Sequence, residues 1–135
     1  MASFVKIDSF VENLAEQFIK LDGTGLTIAL TNTGHTAAWD ELADLTQISY
    51  TNCSSRVITV FTSAQTAGTY KLVLTDLILT ASGTVGPFRY VYIYDDASTN
   101  DKLICYYDYL TSITLNSGDT FTIDFDGTNG VLTIT

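Results

Sequence analysis

Residues 88–95, FRYVYIYD, constrain the fold more than any other stretch of this chain. Phe88, Tyr90, Tyr92 and Tyr94 fall at every second position, and Arg89, Val91 and Ile93 fill the places between. Alternate side chains of a strand leave opposite faces. This strand is therefore substantially apolar on both sides and needs cover on both. A second sheet supplies one cover. The N-terminal helix or a neighbouring subunit is expected to supply the other. Buried tyrosines need hydrogen-bond partners, so their hydroxyls are expected to reach an edge or rim.

The remainder reads mostly as strand. Threonine occurs 22 times and never before residue 24, and such β-branched residues suit a pleated, half-buried surface. Candidate strands are 26–31, 46–50, 56–62, 70–80, 88–95, 102–109, 119–125 and 130–135. Gly, Asn, Asp and Ser clusters separate most of them, and the spacing leaves little room for crossover helices. An antiparallel β-sandwich or jelly-roll-like domain follows. In DTFTIDF, residues Phe121, Ile123 and Phe125 share one face and Thr120, Thr122 and Asp124 the other, which describes a strand with one wet side. In YKLVLTDLILT the apolar phase changes between Leu74 and Leu77. A β-bulge at Thr75-Asp76 is expected to absorb the change.

One α-helix is expected, at about residues 9–22. Ser9 and Glu12 have capping-box spacing, and Phe10, Val11, Leu14, Ala15, Phe18 and Leu21 recur at three- and four-residue steps. Glu16 and Lys20 form a favourable pair four residues apart, and Asp22-Gly23 offers an end. The segment 31–45, TNTGHTAAWDELADL, is the best candidate for an extended excursion, with a short helix near Trp39–Leu42.

The 135 residues fit a single domain, 1–135, with the helix at about 9–22 and the β-sandwich at about 26–135. Hydrophobic residues make up 46% and charged residues 16%, a balance that describes a folded chain. Six basic residues are scattered against fifteen acidic ones, for a net charge of -9. Nucleic-acid binding needs clustered cations, and anionic membranes would repel such a surface. The acidity suits a basic patch on a partner. Cys53 and Cys105 lack His or Cys neighbours at metal spacing, and a bridge between them is left open. Cys105 lies in an apolar run, where a free thiol behaves as a small hydrophobe. Lys6, Asp8 and Glu12 interrupt the first twelve residues, so no signal-peptide core is expected, and folding in a reducing cytoplasm is.

Three patterns are candidates for chemistry. Nucleophilic catalysis would depend on the single histidine, His35, which lies in a Thr- and Gly-rich segment without a nucleophile-elbow motif and reads as a surface-loop residue. Asp124 and Asp126 would stand about 6–7 Å apart on one strand, near the lower limit for an inverting glycosidase pair. Asp126, however, opens a DGTNG turn, where Asp, Asn and Gly serve the backbone. The acidic stretches 95–101, DDASTND, and 124–130, DFDGTNG, hold hard oxygen donors suited to calcium, without EF-hand spacing. Solvated hairpin tips are the plainer reading. No catalytic, cofactor-binding or metal-binding residue is assigned.

That leaves the rings. Exposed Tyr and Trp can stack on sugars, but aromatic residues also fill cores and protein–protein contacts. Phe4, Trp39, Tyr50, Tyr106 and Tyr109 lie outside the cleanest core pattern. With Tyr90 and Tyr92 they form the candidate set for contact with another copy of the chain or a larger partner, and the flanks of the helix, the 33–50 excursion and the tyrosine edge are the expected contact surfaces.

Several stretches then carry a resemblance in order along nearly the whole chain: SFVENLAEQF, LTIALTNT, LADLTQISYTN, AGTYKLVLTDLILTASGTVGPFRYVYIYDD and SGDTFTIDFDGTNGVLTI. The chain resembles a family of small virion proteins of tailed bacteriophages and prophages, of the head decoration, or cement, type. These are fold motifs, not catalytic ones. The segment after LTNT reads GHTAAWDE here, where that family tends to carry proline. The resemblance implies a structural protein without enzymatic activity or cofactor, made in the host cytoplasm and carried on the outer surface of the phage head. Its implied partners are the major capsid protein and copies of itself, as a dimer or trimer, with no nucleic acid and no membrane. The alternatives are a tail, baseplate or receptor-binding component, and a calcium- or carbohydrate-binding β-module.

Overall fold

A computed structural model describes residues 2–135. In chain order the elements are β1 (Ser3–Lys6), α1 (Phe10–Ala15), β2 (Leu26–Thr31), a 3₁₀ turn (Leu42–Asp44), β3 (Val60–Thr66), β4 (Thr69–Leu74), β5 (Leu77–Thr80), β6 (Val85–Asp95), β7 (Lys102–Leu115), β8 (Thr120–Ile123) and β9 (Leu132–Ile134). The fold is mainly β, with one short N-terminal helix. A four-stranded sheet has the order β1-β7-β6-β2, and smaller sheets are β3-β4-β9 and β5-β8. Every named pairing is antiparallel.

The register assigns each face of the large sheet. Leu30, Val91, Tyr107 and Phe4 oppose one another in sequence across β2, β6, β7 and β1, as do Ile28, Ile93 and Cys105. This face meets the smaller sheets. Tyr107 reaches Phe125 just beyond β8, and Leu72, Leu74, Leu79 and Ile123 join the same buried cluster. Fully burying such side chains contributes roughly 2–3 kcal/mol each before ordering costs. The result is a sandwich-like packing of antiparallel sheets around one core. Cys105 is wholly buried within it, and both cysteines are free thiols.

The aromatic row of β6 divides. Phe88 packs edge-on against Phe121 of β8, at 5.3 Å between ring centres. Tyr90 and Tyr92 instead lie beside Tyr106 of β7. Register shifts on either side of Phe88, and another between Ile93 and Tyr94, interrupt the β6–β7 ladder. The second face of the sheet, carrying Ala29, Tyr92 and Tyr106, is covered by the segment that follows β2. His35 and Trp39 lie over it. The cover expected from α1 or another subunit thus comes from the chain's own excursion.

Several local expectations are corrected. The helix is six residues long because Gln17 takes a left-handed backbone, φ 68°. The Gln17 N–H then donates to Leu14 O at 3.2 Å and the Phe18 N–H to Asn13 O at 2.8 Å. These are the two bonds of a Schellman stop, here without the usual glycine. Glu16 therefore caps the helix, and Lys20 lies beyond it, so no helical pair joins them. Ser9 is the N-cap residue of α1 but makes no side-chain capping bond; its hydroxyl donates to Asp40 instead. At Thr75-Asp76 the chain leaves one sheet for another, which changes the apolar phase without a bulge. The expected strand 46–50 is a single bridge, Gln47 to Thr31, and the expected helix near Trp39 is the 3₁₀ turn at Leu42–Asp44.

Candidate interaction surface

His35 sits at the centre of the covered tyrosine face. Its ring stacks on Tyr106 at 4.7 Å and meets Trp39 edge-on at 5.7 Å. Nδ1 lies 3.1 Å from the Tyr92 hydroxyl. The residue read from sequence as a surface-loop histidine is instead wedged between rings. Burial pulls its pKa below the ordinary value, against the opposing pull of the Asp8 carboxylate. Burial raises the pKa of the Tyr92 phenol, with the Tyr106 and Tyr90 rings adding to the shift. The tyrosine face is consequently not a flat, open platform of the kind that stacks on sugars.

The rest of the contact set is distributed. Tyr92 is 0% exposed, so its surface is spent within the chain. Tyr50 sends its hydroxyl to β2, where it accepts from the Leu30 N–H at 2.8 Å, and the Arg56 guanidinium lies 3.8 Å over its ring. Tyr109 packs edge-on against Phe121. Phe4, Trp39, Tyr90 and Tyr106 are partly buried. Of these, Phe4 stands at the open side of the sandwich, well away from the His35 group in the fold: it shares the sheet face of Tyr107, while Tyr90 and Tyr106 share the other.

The acidic turns are organised by their own backbones. Asp95 is buried and accepts from the Ala97 N–H at 3.0 Å and the Lys20 N–H at 2.9 Å. Asp126 accepts from the N–H groups of Thr128 and Asn129 and from the Asn129 amide. Those bonds lower its pKa. Among the described residues, no three His, Cys, Asp or Glu side chains converge in a metal-binding group, and no helix is long and apolar enough to cross a membrane.

The flank of α1 and Phe4, both expected contact surfaces, border an apolar groove whose other wall, β9, the sequence did not indicate. Strands β1 and β9 are outer strands of different sheets, each paired on one side only. Between them lies the groove, of about 490 Å³, lined by Phe4, Phe10, Val11, Leu14, Leu132 and Ile134 among others. A second cavity of about 440 Å³ shares Leu14 and Ile134 with it and extends toward Tyr70. Helix α1 forms one wall of the groove through Phe10, Val11, Leu14 and Ala15. Elsewhere Phe61 is 76% and Leu110 73% exposed. Leu110 has a left-handed backbone, φ 68°, and donates its N–H to Asp108, whose two oxygens also hold Arg89 at 2.7 and 2.9 Å.

Comparison with known protein families, with curated proteins and with solved structures returned no match.

Proposed function

We propose that the chain is a structural protein of a tailed-bacteriophage particle, bound to the outside of the assembled head as a decoration protein. The observation that carries this reading is the open side of the sandwich. There an apolar groove runs between two outer strands, β1 and β9, that each pair on one side only. Unpaired strand edges beside apolar surface are suited to main-chain pairing with another protein. The residues that carry chemistry are, by contrast, engaged in packing and turns: His35 among rings, Asp126 within its loop, Cys105 in the core. The family resemblance of the sequence supplies the phage context, and the major capsid protein and further copies of the chain are the proposed partners.

The mechanism is linkage. A protein that binds only the assembled shell stabilises that state by mass action. Weak contacts repeated over a symmetric lattice gain strength through effective concentration. The test mixes purified protein with undecorated, expanded heads of a phage whose genome encodes it. Stoichiometric binding with increased resistance to heat is expected. Absence of binding to any capsid state overturns the proposal, and location of the chain only at the tail of intact particles replaces it with the tail reading.

A further inference from the structure

We propose that His35 is a proton-operated clasp, whose protonation releases segment 32–39 from the tyrosine face of the large sheet. The argument begins with the Tyr92 hydroxyl. Its ring is fully buried, and among the described residues its hydrogen-bond partner is His35 Nδ1, at 3.1 Å. A phenol hydrogen in such a place needs an acceptor. Neutral imidazole provides one when its proton is on Nε2, so Tyr92 donates and Nδ1 accepts. A second proton on the ring converts Nδ1 to a donor. The Tyr92 hydrogen then loses its acceptor, and a charge is placed in a half-buried ring cluster.

The groups facing His35 set the balance. From β6 come the Tyr92 and Tyr90 phenols, and from β7 the Tyr106 ring, stacked at 4.7 Å. From the turn between β1 and α1 comes the Asp8 carboxylate, which favours the imidazolium. Asp108, beyond Tyr106, is paired with Arg89. On the segment itself, Trp39 meets the imidazole edge-on, and Asp40 is paired with Lys102. Burial outweighs Asp8, so the folded pKa lies below 6.5. The unfolded or released segment therefore binds the proton more readily than the closed one. The clasp's contribution is complete above about pH 6.5 and is lost as pH falls through the folded value, by at most about tenfold in the opening equilibrium per pH unit.

The segment's far end stays tied. Asp40 is held by Ser9, Asn13 and Lys102, and its carbonyl accepts from the Leu103 N–H at 2.9 Å. At its near end Thr31 is buried in β2. Opening is thus confined between two anchors and would expose Tyr90, Tyr92 and Tyr106 together. This inference stands apart from the capsid reading and does not depend on it.

The chain carries its own probes, since His35 is its single histidine and Trp39 its single tryptophan. The experiment titrates the full chain from pH 7.5 to 5, following the His35 ring by NMR, Trp39 by fluorescence and amides 32–39 by hydrogen exchange corrected for intrinsic pH dependence. Expected are a His35 midpoint below 6.5 and a Trp39 transition with the same midpoint. Within 32–39, loss of protection is expected at the Thr33 and Trp39 amides, which are held by Thr31 Oγ1 and Thr36 O, each at 3.1 Å. His35→Phe should abolish the Trp39 transition. Tyr92→Phe should move the His35 midpoint upward, because neutral Nδ1 loses its donor. A wild-type midpoint at or above 6.5, or a protonation that leaves Trp39 and amides 32–39 unchanged, overturns the proposal. Both readings come from the native sequence, so they hold even where a variant fails to fold.

Discussion

Lys102 and Asp40 form an ion pair, Nζ to Oδ2 at 2.5 Å, that fastens the excursion after β2 to the start of β7. The other Asp40 oxygen accepts from Ser9 and from the Asn13 amide, the latter at 2.8 Å. One carboxylate therefore ties α1, the excursion and the β6–β7 hairpin together. Lys102 also reaches Glu41 at 2.9 Å.

Loss of that carboxylate is expected to cost more than loss of its cation. Asp40→Ala leaves the buried Asn13 amide without its acceptor and the Lys102 ammonium, 14% exposed, with Glu41 alone. The two losses together cost about 2–3 kcal/mol. Lys102→Met leaves Asp40 with its Ser9 and Asn13 bonds, and about 1 kcal/mol is expected. Urea unfolding of the two variants checks the order. Equal losses would show that the ion pair, rather than the shared acceptor, dominates.

Stability is expected to fall in acid through a defined set of carboxylates. Burial pushes the Asp40 pKa up, but hydrogen bonds from Lys102, Ser9 and Asn13 outweigh it and leave it lowered. The Arg89 hydrogen bonds lower Asp108, and the Asn129 N–H leads the bonds that lower Asp126. Each of these groups binds its proton less readily when folded. Their contribution is complete above the ordinary value of 3.8 and is lost as pH falls through the lower folded values. Asp101 acts in the opposite sense: burial, then Asp96 and Asp95, raise its pKa, so its cost is relieved as pH falls. Three groups oppose one, and the urea midpoint should decline below about pH 3.8. Asp108→Asn and Asp126→Asn should each flatten that decline.

The β-rich architecture was legible because its signals are local. Gly25 and Asn32 bracket an apolar run, and β2 occupies Leu26–Thr31 as the sequence suggested. The two apolar faces of β6 correctly required two covers. What supplies the second one was hidden, since GHTAAW has no periodicity, and its packing depends on Tyr92 and Tyr106, more than fifty residues away. The change of apolar phase after Leu74 was real, but local sequence does not distinguish a bulge from a passage between sheets. The helix was overextended because Gln17, not a glycine, adopts the left-handed stop.

Two glycines of the DGTNG turn should respond differently to the same substitution. Gly130 has φ 84°, and a Cβ there would lie 2.7 Å from Leu72 O and 2.8 Å from Lys71 Cγ. Just after it, the Val131 N–H donates to Leu72 O at 2.8 Å and begins the β4–β9 pairing. Gly130→Ala thus combines a disfavoured backbone with a clash against the strand that receives β9. About 2 kcal/mol or more is expected to be lost. Gly127, three residues earlier, would leave a methyl group with nothing within 4 Å and has no left-handed backbone. Gly127→Ala should stay within about 0.5 kcal/mol of the parent. Thermal or urea unfolding of the pair separates backbone demand from turn composition, which treats both glycines alike. Hydrogen exchange adds the location: in Gly130→Ala the amides of 131–134 should lose protection before those of β6 and β7. Equal tolerance at both positions would mean that β9 is not held against β4 as described, and that the groove lacks one of its walls.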